Sequence, residues 1–299
     1  PIWELDSLLR IKQQAGEYGL ELYGIENFNP ADWYDVLLDG PKRQEQIERL
    51  KQVITRVGKA GIPAFGYNFS LAGVWGHQKK HAARGGAEST CFDASLLDLN
   101  APIPNGQVWN MTYAPGDGGF MPAVTSEELW GRLQSFLEQM LPVAEEAGVE
   151  LALHPDDPPM PELRGTPRMV YRPELYQKLI DLVPSRSNKL ELCLGSLQEM
   201  QSEKPIYDYL DQYLRQDKVS YVHFRNVRGK VPCYDEVFVD EGDIDMFRVL
   251  RQLKDSGFSG VLIPDHTPMM TCAASWHAGM AFALGYMRAA FQMIERGML

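Results

Sequence analysis

The chain of 299 residues is 44% hydrophobic and 23% charged, values typical of a globular protein and unlike those of disordered or fibrous chains. Its 29 lysines and arginines against 40 aspartates and glutamates give a formal net charge of −11, which opposes binding to nucleic acids. The apolar runs are too short to span a bilayer, and no signal-like stretch opens the chain. We therefore expect a soluble protein without nucleic-acid or membrane partners.

The cysteines and the first residues indicate the compartment and the extent of the chain. Four scattered cysteines without a Cys-x-x-Cys pair are more typical of reduced thiols in the cytoplasm than of a disulfide framework. The sequence begins Pro1-Ile2-Trp3 rather than with methionine, so we expect that a natural N-terminal segment precedes it.

One pattern recurs along the chain: a helical stretch ends in glycine, and a short apolar run that ends in polar residues follows. The glycines of this pattern are Gly19, Gly61, Gly148 and Gly257. A glycine just past a helix supplies a left-handed backbone conformation, and the apolar run is typical of a buried parallel strand. Together with LELCLG (190–195) and VSYVHFRN (219–226), the pattern predicts six strands.

Segments of helical period lie between these strands. One apolar stripe consists of Leu129, Leu133, Phe136, Leu137, Met140 and Leu141, and a shorter one begins with Phe247, Leu250, Arg251 and Leu253. Alternating strands and helices predict a parallel sheet, and neither a dinucleotide-binding glycine motif nor a P-loop follows any strand. We therefore predict a TIM (β/α)8-type barrel, a single domain over residues 1–299 whose first one or two strands precede residue 1.

A long segment, residues 70–122, interrupts the alternation, and we call it the excursion. Loops of this length are usually lids or oligomer contacts. Its basic stretch could reach over the mouth of the barrel, but a solvated surface stretch is the favoured interpretation for His77, Lys79, Lys80 and His81. The tryptophans predicted to serve only in packing are Trp75, Trp109 and Trp130.

The last residues of four predicted strands carry metal-binding side chains: His154, Cys193, His223 and Asp265. Successive strand ends of a barrel converge on one mouth, where barrel active sites lie. Taken singly, a strand-end histidine is more often structural, and a strand cysteine is more often a small buried hydrophobe. Four such residues in register predict a metal site, and the soft thiolate favours Zn²⁺ or Fe²⁺, with Mn²⁺ tolerated.

Polar residues beside these ligands are candidates for proton transfer and substrate binding. His266 is the candidate acid or base, because imidazole exchanges protons near neutral pH. Arg168 and Arg225 could hold an anionic substrate, and Asn226 could fix it in place. Asp157 is a further substrate-binding candidate, although Asp156 and Asp157 are at least as well explained by loop capping, and Arg168 by a solvated loop charge.

At these motifs the sequence resembles the mannonate dehydratases of the UxuA type. The resemblance rests on LALHPDDPP, GTPRM, LCLGSLQE, YVHFRNVRG and VLIPDHTP, with GIPAFGYNF as a weaker match that contains Asn68. It covers most of the chain, best from about residue 145 to 267, and the order of HPDDPP and HFRNV is quite specific.

The resemblance implies an activity, a metal and a site. It implies a xylose-isomerase-like barrel that removes water from D-mannonate to give 2-keto-3-deoxy-D-gluconate, a cytoplasmic reaction of glucuronate catabolism. It implies a divalent metal, usually Mn²⁺, held by His154, Cys193, His223 and Asp265. It also implies a small sugar acid as substrate, with Asn68 among the binding residues, and a homo-oligomer.

The sequence departs from the family pattern in the loops that read the substrate. Asn68-Phe69-Ser70 leads into GVWGHQKK instead of the family's NFMP-like run and D-W-T-R-T segment. PDHTP replaces P-D-H-G-R, and His277 falls roughly where the family has a tyrosine thought to act in proton transfer. His266 and His277 are therefore the predicted catalytic pair, and the substrate could be another sugar acid or a neutral sugar.

Two other functions stay open on the sequence alone. One is a metal-dependent sugar isomerase or epimerase of the xylose-isomerase-like class, although such sites usually rely on carboxylates rather than a thiolate. The other is a non-catalytic, sugar-acid-binding barrel that keeps its metal but has lost the proton-transfer pair.

Overall fold

The computed structural model describes residues 3–298. Within this range the chain forms nine α-helices: α1 (Leu5–Glu17), α2 (Tyr34–Leu38), α3 (Arg43–Lys59), α4 (Ser126–Ala147), α5 (Leu175–Leu182), α6 (Leu194–Glu199), α7 (Ile206–Arg215), α8 (Met246–Asp255) and α9 (Ser275–Glu295). Not one of these helices combines the length and the apolar character that crossing a bilayer would need.

The same residues form fourteen β-strands: β1 (Gly24–Glu26), β2 (Ala64–Tyr67), β3 (Gln78–Ala83), β4 (Ala87–Asp93), β5 (Gln107–Val108), β6 (Met111–Thr112), β7 (Glu150–Leu153), β8 (Glu162–Leu163), β9 (Thr166–Pro167), β10 (Asn188–Cys193), β11 (Val219–His223), β12 (Asn226–Lys230), β13 (Cys233–Val237) and β14 (Leu262–Ile263). They belong to one parallel sheet and three smaller antiparallel sheets.

The parallel sheet contains the six strands that the sequence pattern predicts. Its order is β1-β2-β7-β10-β11-β14, and every pairing in it is parallel. Cys193 at the end of β10 stands directly opposite His223 at the end of β11. The prediction of six parallel strands joined by helices is confirmed, and the strand ends fall beside one another as a common mouth requires.

The glycines of the recurring pattern adopt the backbone conformation for which they were singled out. The φ angles are +71° at Gly19, +66° at Gly61, +68° at Gly148 and +74° at Gly257. Gly148 caps the C-terminus of α4, where its amide bonds back to the last turn of the helix. A side chain at such a position would strain the turn that leads each helix into the next strand.

The two predicted apolar stripes face the core. All six members of the first stripe are buried on α4, which begins with a capping box between Thr125 and Glu128. In α8 the buried residues include Leu250 and Leu253, whereas Arg251 is exposed and does not belong to the stripe. Helical periodicity therefore located both helices but wrongly assigned Arg251 to the shorter stripe.

The excursion contributes two strands to an antiparallel sheet outside the parallel one. Its strand β4 pairs with β13, which follows the end of β11, and the resulting antiparallel sheet has the order β12-β13-β4-β3. Of the basic stretch, Lys79, Lys80 and His81 are exposed as predicted. The solvated interpretation is wrong for His77, because its Nε2 lies 3.1 Å from Oδ1 of Asp157 and 3.0 Å from the hydroxyl of Tyr234.

The three tryptophans interpreted as packing residues do pack. Trp130 is buried in the core, and Trp75 and Trp109 are half-buried against it. Their role is therefore the apolar one that the sequence predicts.

Candidate metal centre

The candidate metal centre lies at the carboxyl ends of four neighbouring strands. His154 directly follows β7, Cys193 ends β10, His223 ends β11, and Asp265 comes two residues after β14. One nitrogen from each imidazole and the Sγ of Cys193 lie within 4.8 Å of one another. Oδ2 of Asp265 lies 3.3 Å from Nδ1 of His223. The structure thus brings together the four side chains that the sequence predicts as ligands.

The imidazoles present free nitrogens to this cluster. Nδ1 of His154 donates to the carbonyl oxygen of Pro155 at 2.7 Å, so Nε2 is the nitrogen left to bind a cation. Nε2 of His223 lies 2.9 Å from Glu26 and 3.0 Å from Glu191, whereas its buried Nδ1 faces Oδ2 of Asp265 at 3.3 Å without a well-aligned hydrogen bond among residues 3–298. A buried nitrogen without a well-aligned partner costs free energy, and a cation held beside Asp265 would supply that partner.

The charged neighbours of Cys193 favour its thiolate form. Burial by itself would raise its pKa, but Arg225 and the imidazoles of His154 and His223 lower the pKa well below its ordinary value. A thiolate is the form of cysteine that binds metals. The surroundings of Cys193 therefore favour the charge state that a metal ligand needs. This residue also distinguishes the site from one made only of carboxylates.

The two imidazoles oppose the negative charges of the thiolate and of the Asp265 carboxylate. Burial would lower the pKa of His154, but Glu191 and Cys193 raise it to about 9. His223 shifts in the same direction because of Glu191 and Asp265, and the pKa of Asp265 falls because of His223 despite its burial. In the metal-free state protons on the imidazoles neutralise the anions, and a divalent cation would replace those protons. The residues present therefore fit a divalent metal with one sulfur, two nitrogen and one oxygen donor.

Asp265 stands on a strained backbone. Its φ angle is +59°, a left-handed conformation that aspartate adopts more readily than most residues but at some cost in free energy. The turn directs the carboxylate back toward His223 immediately after β14. Backbone strain of this kind is concentrated at functional sites.

Two carboxylates on strands of the parallel sheet were not predicted from the sequence. Glu26 and Glu191 contact His223, and Glu191 also accepts a 2.5 Å hydrogen bond from the hydroxyl of Tyr221. Burial raises the pKa of Glu191 to about 7, although His154 and His223 act against the shift. Side chains alternate along a strand, so Glu191 points to the same side as Cys193 two residues later, and this signal could have identified it. The glycine of β2, Gly66, leaves room for the pair, since a Cβ there would collide with the Tyr221 hydroxyl.

Arg225 lies behind the ligands in a buried cluster of carboxylates. It is 2% exposed, and it donates to Asp157 at 2.5 Å and to Glu199 at 2.6 Å. Its Nε also lies 3.4 Å from Oδ2 of Asp265, and its Nη1 lies 3.5 Å from Oε1 of Glu236. The predicted substrate-binding residues Arg225 and Asp157 are thus paired with each other, and Arg225 acts directly on a predicted ligand.

His266 lies at the rim of the centre. Its Nδ1 lies 2.8 Å and 3.0 Å from the two carboxylate oxygens of Glu236, and its Nε2 lies 3.8 Å from Oδ1 of Asp265. Glu236 raises the pKa of His266 to about 9 against the effect of burial. The side chain is 45% exposed, so it can also face a small molecule at the mouth.

His277 lies apart from this group. It is exposed in the first turn of α9, where its ring packs edge-on against Trp276. Within residues 3–298 it makes no hydrogen bond or ion pair to the ligand candidates or to His266. Of the predicted catalytic pair, His266 contacts the residues of the candidate metal centre, whereas His277 does not contact them within residues 3–298.

Asn68 and Arg168 occupy different environments near the mouth. Asn68 follows β2, is 7% exposed, and its Oδ1 has no hydrogen-bond partner among the described residues. Arg168 is buried, and its guanidinium links two loops. Its Nε lies 3.2 Å from Oδ1 of Asp156, and its Nη1 donates to the hydroxyl of Ser70 and to the carbonyl of Gly73. The interpretation of Arg168 as a solvated loop charge is therefore wrong, and its guanidinium fixes the start of the excursion.

Asp156 caps the loop that follows β7. Its Oδ2 accepts from the amides of Met169 and Val170 at 2.7 and 2.8 Å. This is the capping role that the sequence offered as the alternative to catalysis.

Asn226 uses its whole hydrogen-bonding capacity within the chain. Its amide group donates to the carbonyls of Val239 and Ile244, and its Oδ1 accepts from the amides of Val227 and Ile244. An asparagine has two donors and two acceptor positions, so these four bonds leave none for a substrate.

Replacing Asn226 with alanine therefore tests whether this residue stabilises the fold or binds the substrate. We expect Asn226→Ala to lower the free energy of unfolding by about 3 kcal/mol, because buried backbone groups lose their partners. Urea denaturation measures this loss. An unchanged unfolding free energy combined with a raised KM would instead support the substrate-binding role predicted from the sequence.

The fold and the strand-end donors together define a class. A solved xylose isomerase domain protein from Alicyclobacillus acidocaldarius superposes with a TM-score of 0.62 at 12% identity, covering 97% of this chain and 84% of that one. At this identity the likeness concerns the fold alone. The chain is therefore a xylose-isomerase-like TIM barrel with a candidate divalent-metal centre at its mouth.

The family follows from closer relatives. The family model described as D-mannonate dehydratase (UxuA) matches residues 1–104 and 119–296. A mannonate dehydratase from Streptococcus pneumoniae (strain 70585) is 32% identical over 278 residues, which cover 88% of this chain and 74% of that protein. The crystal structure of mannonate dehydratase from Streptococcus suis serotype 2 superposes with a TM-score of 0.83 at 29% identity, covering 99% of this chain and 84% of that one. The chain belongs to the D-mannonate dehydratase (UxuA) family, a family of carbon–oxygen lyases.

Proposed function

We propose that the protein is a metal-dependent dehydratase that converts D-mannonate, or a closely related sugar acid, to 2-keto-3-deoxy-D-gluconate or its analogue. The observation that carries this proposal is the convergence of His154, Cys193, His223 and Asp265 at one mouth in a chain of this family. The thiolate favours this assignment over a sugar isomerase, whose metal ligands are usually carboxylates.

The proposed metal is Mn²⁺, and Fe²⁺ or Zn²⁺ would also suit the donors. When bound, a divalent metal withdraws negative charge from a substrate carboxylate and so makes loss of the neighbouring C2 proton easier. His154, Cys193, His223 and Asp265 are the residues that would hold it. Arg225 stabilises the charged forms of Cys193 and Asp265 from behind, since it contacts the latter and lowers the pKa of both.

The chain's own residues move the protons in this proposal. The reaction removes a proton from C2, protonates the departing C3 hydroxyl, and leaves an enol that becomes the 2-keto product. His266 is the proposed partner in one transfer, because Nε2 faces the centre while Glu236 holds Nδ1. His277 is the proposed second partner, on the resemblance alone.

Substrate contacts are proposed at the residues that retain free hydrogen-bonding capacity. Asn68 is the strongest candidate, because its buried Oδ1 can accept from a sugar hydroxyl. Arg168, Arg225, Asp157 and Asn226 hold one another or the backbone, so we propose that they act on the substrate only by fixing the loops and ligands around it.

We extend the proposal to the setting of the enzyme. We propose that it works in the reducing cytoplasm in glucuronate catabolism, that it is a homo-oligomer, and that the whole chain is a single barrel domain. The pairing of β4 with β13 supports treating residues 70–122 as an insertion in that domain.

One assay tests the proposed function. The protein loaded with Mn²⁺ is incubated with D-mannonate and with a panel of other aldonic acids, and 2-keto-3-deoxy products are measured. We expect product from at least one aldonic acid and none from aldoses. Aldose isomerisation instead would establish the isomerase class, and binding of an aldonic acid without turnover would establish a non-catalytic barrel.

A further inference from the structure

Glu236 is a buried carboxylate that no motif identified. It lies on β13, and its residue exposure is 4%. Both carboxylate oxygens face Nδ1 of His266, at 2.8 Å and 3.0 Å, and Nη1 of Arg225 lies 3.5 Å from Oε1. Glu236 contacts none of the four ligand candidates through a hydrogen bond or ion pair within residues 3–298.

The charge on Glu236 persists in this buried position. Burial would raise its pKa, but His266 and Arg225 lower it below the ordinary value. A carboxylate can only accept hydrogen bonds, so the nitrogen that faces it carries a hydrogen. Nδ1 of His266 is thereby the protonated nitrogen in both charge states of the ring.

The orientation of His266 follows from this contact. With Nδ1 fixed on Glu236, Nε2 is directed toward Asp265 and the candidate metal centre. The ring is 45% exposed and has no other hydrogen-bond partner among the described residues, so without Glu236 it would be free to rotate. A carboxylate that fixes the tautomer and the orientation of a histidine is a recurring device of enzyme sites.

We propose that Glu236 is a positioning residue that holds His266 through Nδ1 and so directs Nε2 toward Asp265 and the candidate metal centre. The inference rests on the proposed function. It adds a role for the β12–β13 hairpin, which brings this carboxylate to the mouth.

Glutamine at position 236 tests the role, with a matched control nearby. Glu236→Gln keeps the shape but replaces an acceptor-only group with an amide that can accept from or donate to Nδ1. The tautomer is then no longer fixed, and we expect kcat to fall by roughly 10- to 100-fold. KM and the affinity for Mn²⁺ should change by less than about threefold, since no ligand is altered. Glu199→Gln alters another buried acidic side chain that Arg225 contacts and that does not touch His266, and an equal loss of kcat there would overturn the proposal.

A double-mutant cycle separates positioning from structure. If Glu236 acts only through His266, then Glu236→Gln causes no further loss of kcat in the His266→Asn background. Additive losses would contradict the proposal. Glu236→Asp enters the same cycle if the glutamine variant does not fold, with the same two outcomes.

A crystal structure of Glu236→Ala, which removes the acceptor altogether, gives a readout without activity. We expect the His266 ring to be rotated or disordered while the four ligand candidates stay in place. An unchanged ring would overturn the inference even if the wild-type protein turned over no sugar acid. Absence of wild-type turnover would count against the proposed function alone.

Discussion

Replacing Cys193 with alanine removes the thiolate donor of the candidate metal centre, and we expect metal binding and turnover to be lost together. The thiolate is the softest donor at the site, and its loss leaves two imidazoles and one carboxylate. Changes outside the direct ligands of a metal commonly cost 10- to 100-fold in affinity, so we expect removal of a ligand to cost more than about 100-fold. Equilibrium dialysis with Mn²⁺ and the dehydratase assay measure the two losses.

A second buried cysteine provides the control for this variant. Cys91 lies on β4, is buried and free, and is remote from the ligand candidates in the sequence and the sheet. Cys91→Ala should retain Mn²⁺ affinity and turnover. Normal metal content in Cys193→Ala, or equal losses in the two variants, would show that the thiolate is not a ligand.

Replacing His266 with asparagine lowers kcat by roughly 10²- to 10⁴-fold, the usual contribution of a general acid or base. The asparagine amide can still donate to Glu236 in place of Nδ1, but it has no group that exchanges a proton at the position of Nε2. Mn²⁺ affinity and KM should change little, because His266 is not among the ligand candidates. Steady-state kinetics with metal analysis of the same samples check the prediction.

Two other histidines make this test specific. His81→Asn alters an exposed histidine of β3 and should leave kcat unchanged. His277→Asn examines the second proposed proton-transfer partner, and a loss as large as that of His266→Asn would support the pair. Near-normal kcat in His266→Asn with intact metal content would remove His266 from the mechanism.

Strand periodicity and residue chemistry were sufficient to predict the fold and the four ligand candidates. The six apolar runs became the six parallel strands, and a parallel sheet places consecutive strand ends at one edge. His154, Cys193, His223 and Asp265 could therefore be grouped without any knowledge of the distances between them.

Side chains that reach the site from elements other than the ends of the parallel strands could not be predicted in the same way. His77 and Glu236 reach the mouth through the pairing of β4 with β13, and no local pattern specifies the register of that pairing. Arg168 and Asn226 have the chemistry of substrate-binding residues, but their partners are backbone and loop groups that no sequence pattern identifies. The sequence therefore indicates correctly that Arg168 and Asn226 make polar contacts. The tertiary structure is needed to show that these contacts are with the protein itself.

Anomalous diffraction at the manganese absorption edge, from crystals grown with Mn²⁺, tests the central claim most directly. The account predicts one anomalous peak in contact with Nε2 of His154, Sγ of Cys193, Nδ1 of His223 and the carboxylate of Asp265. A peak bound by other residues, or no peak among these four side chains at saturating Mn²⁺, would contradict it.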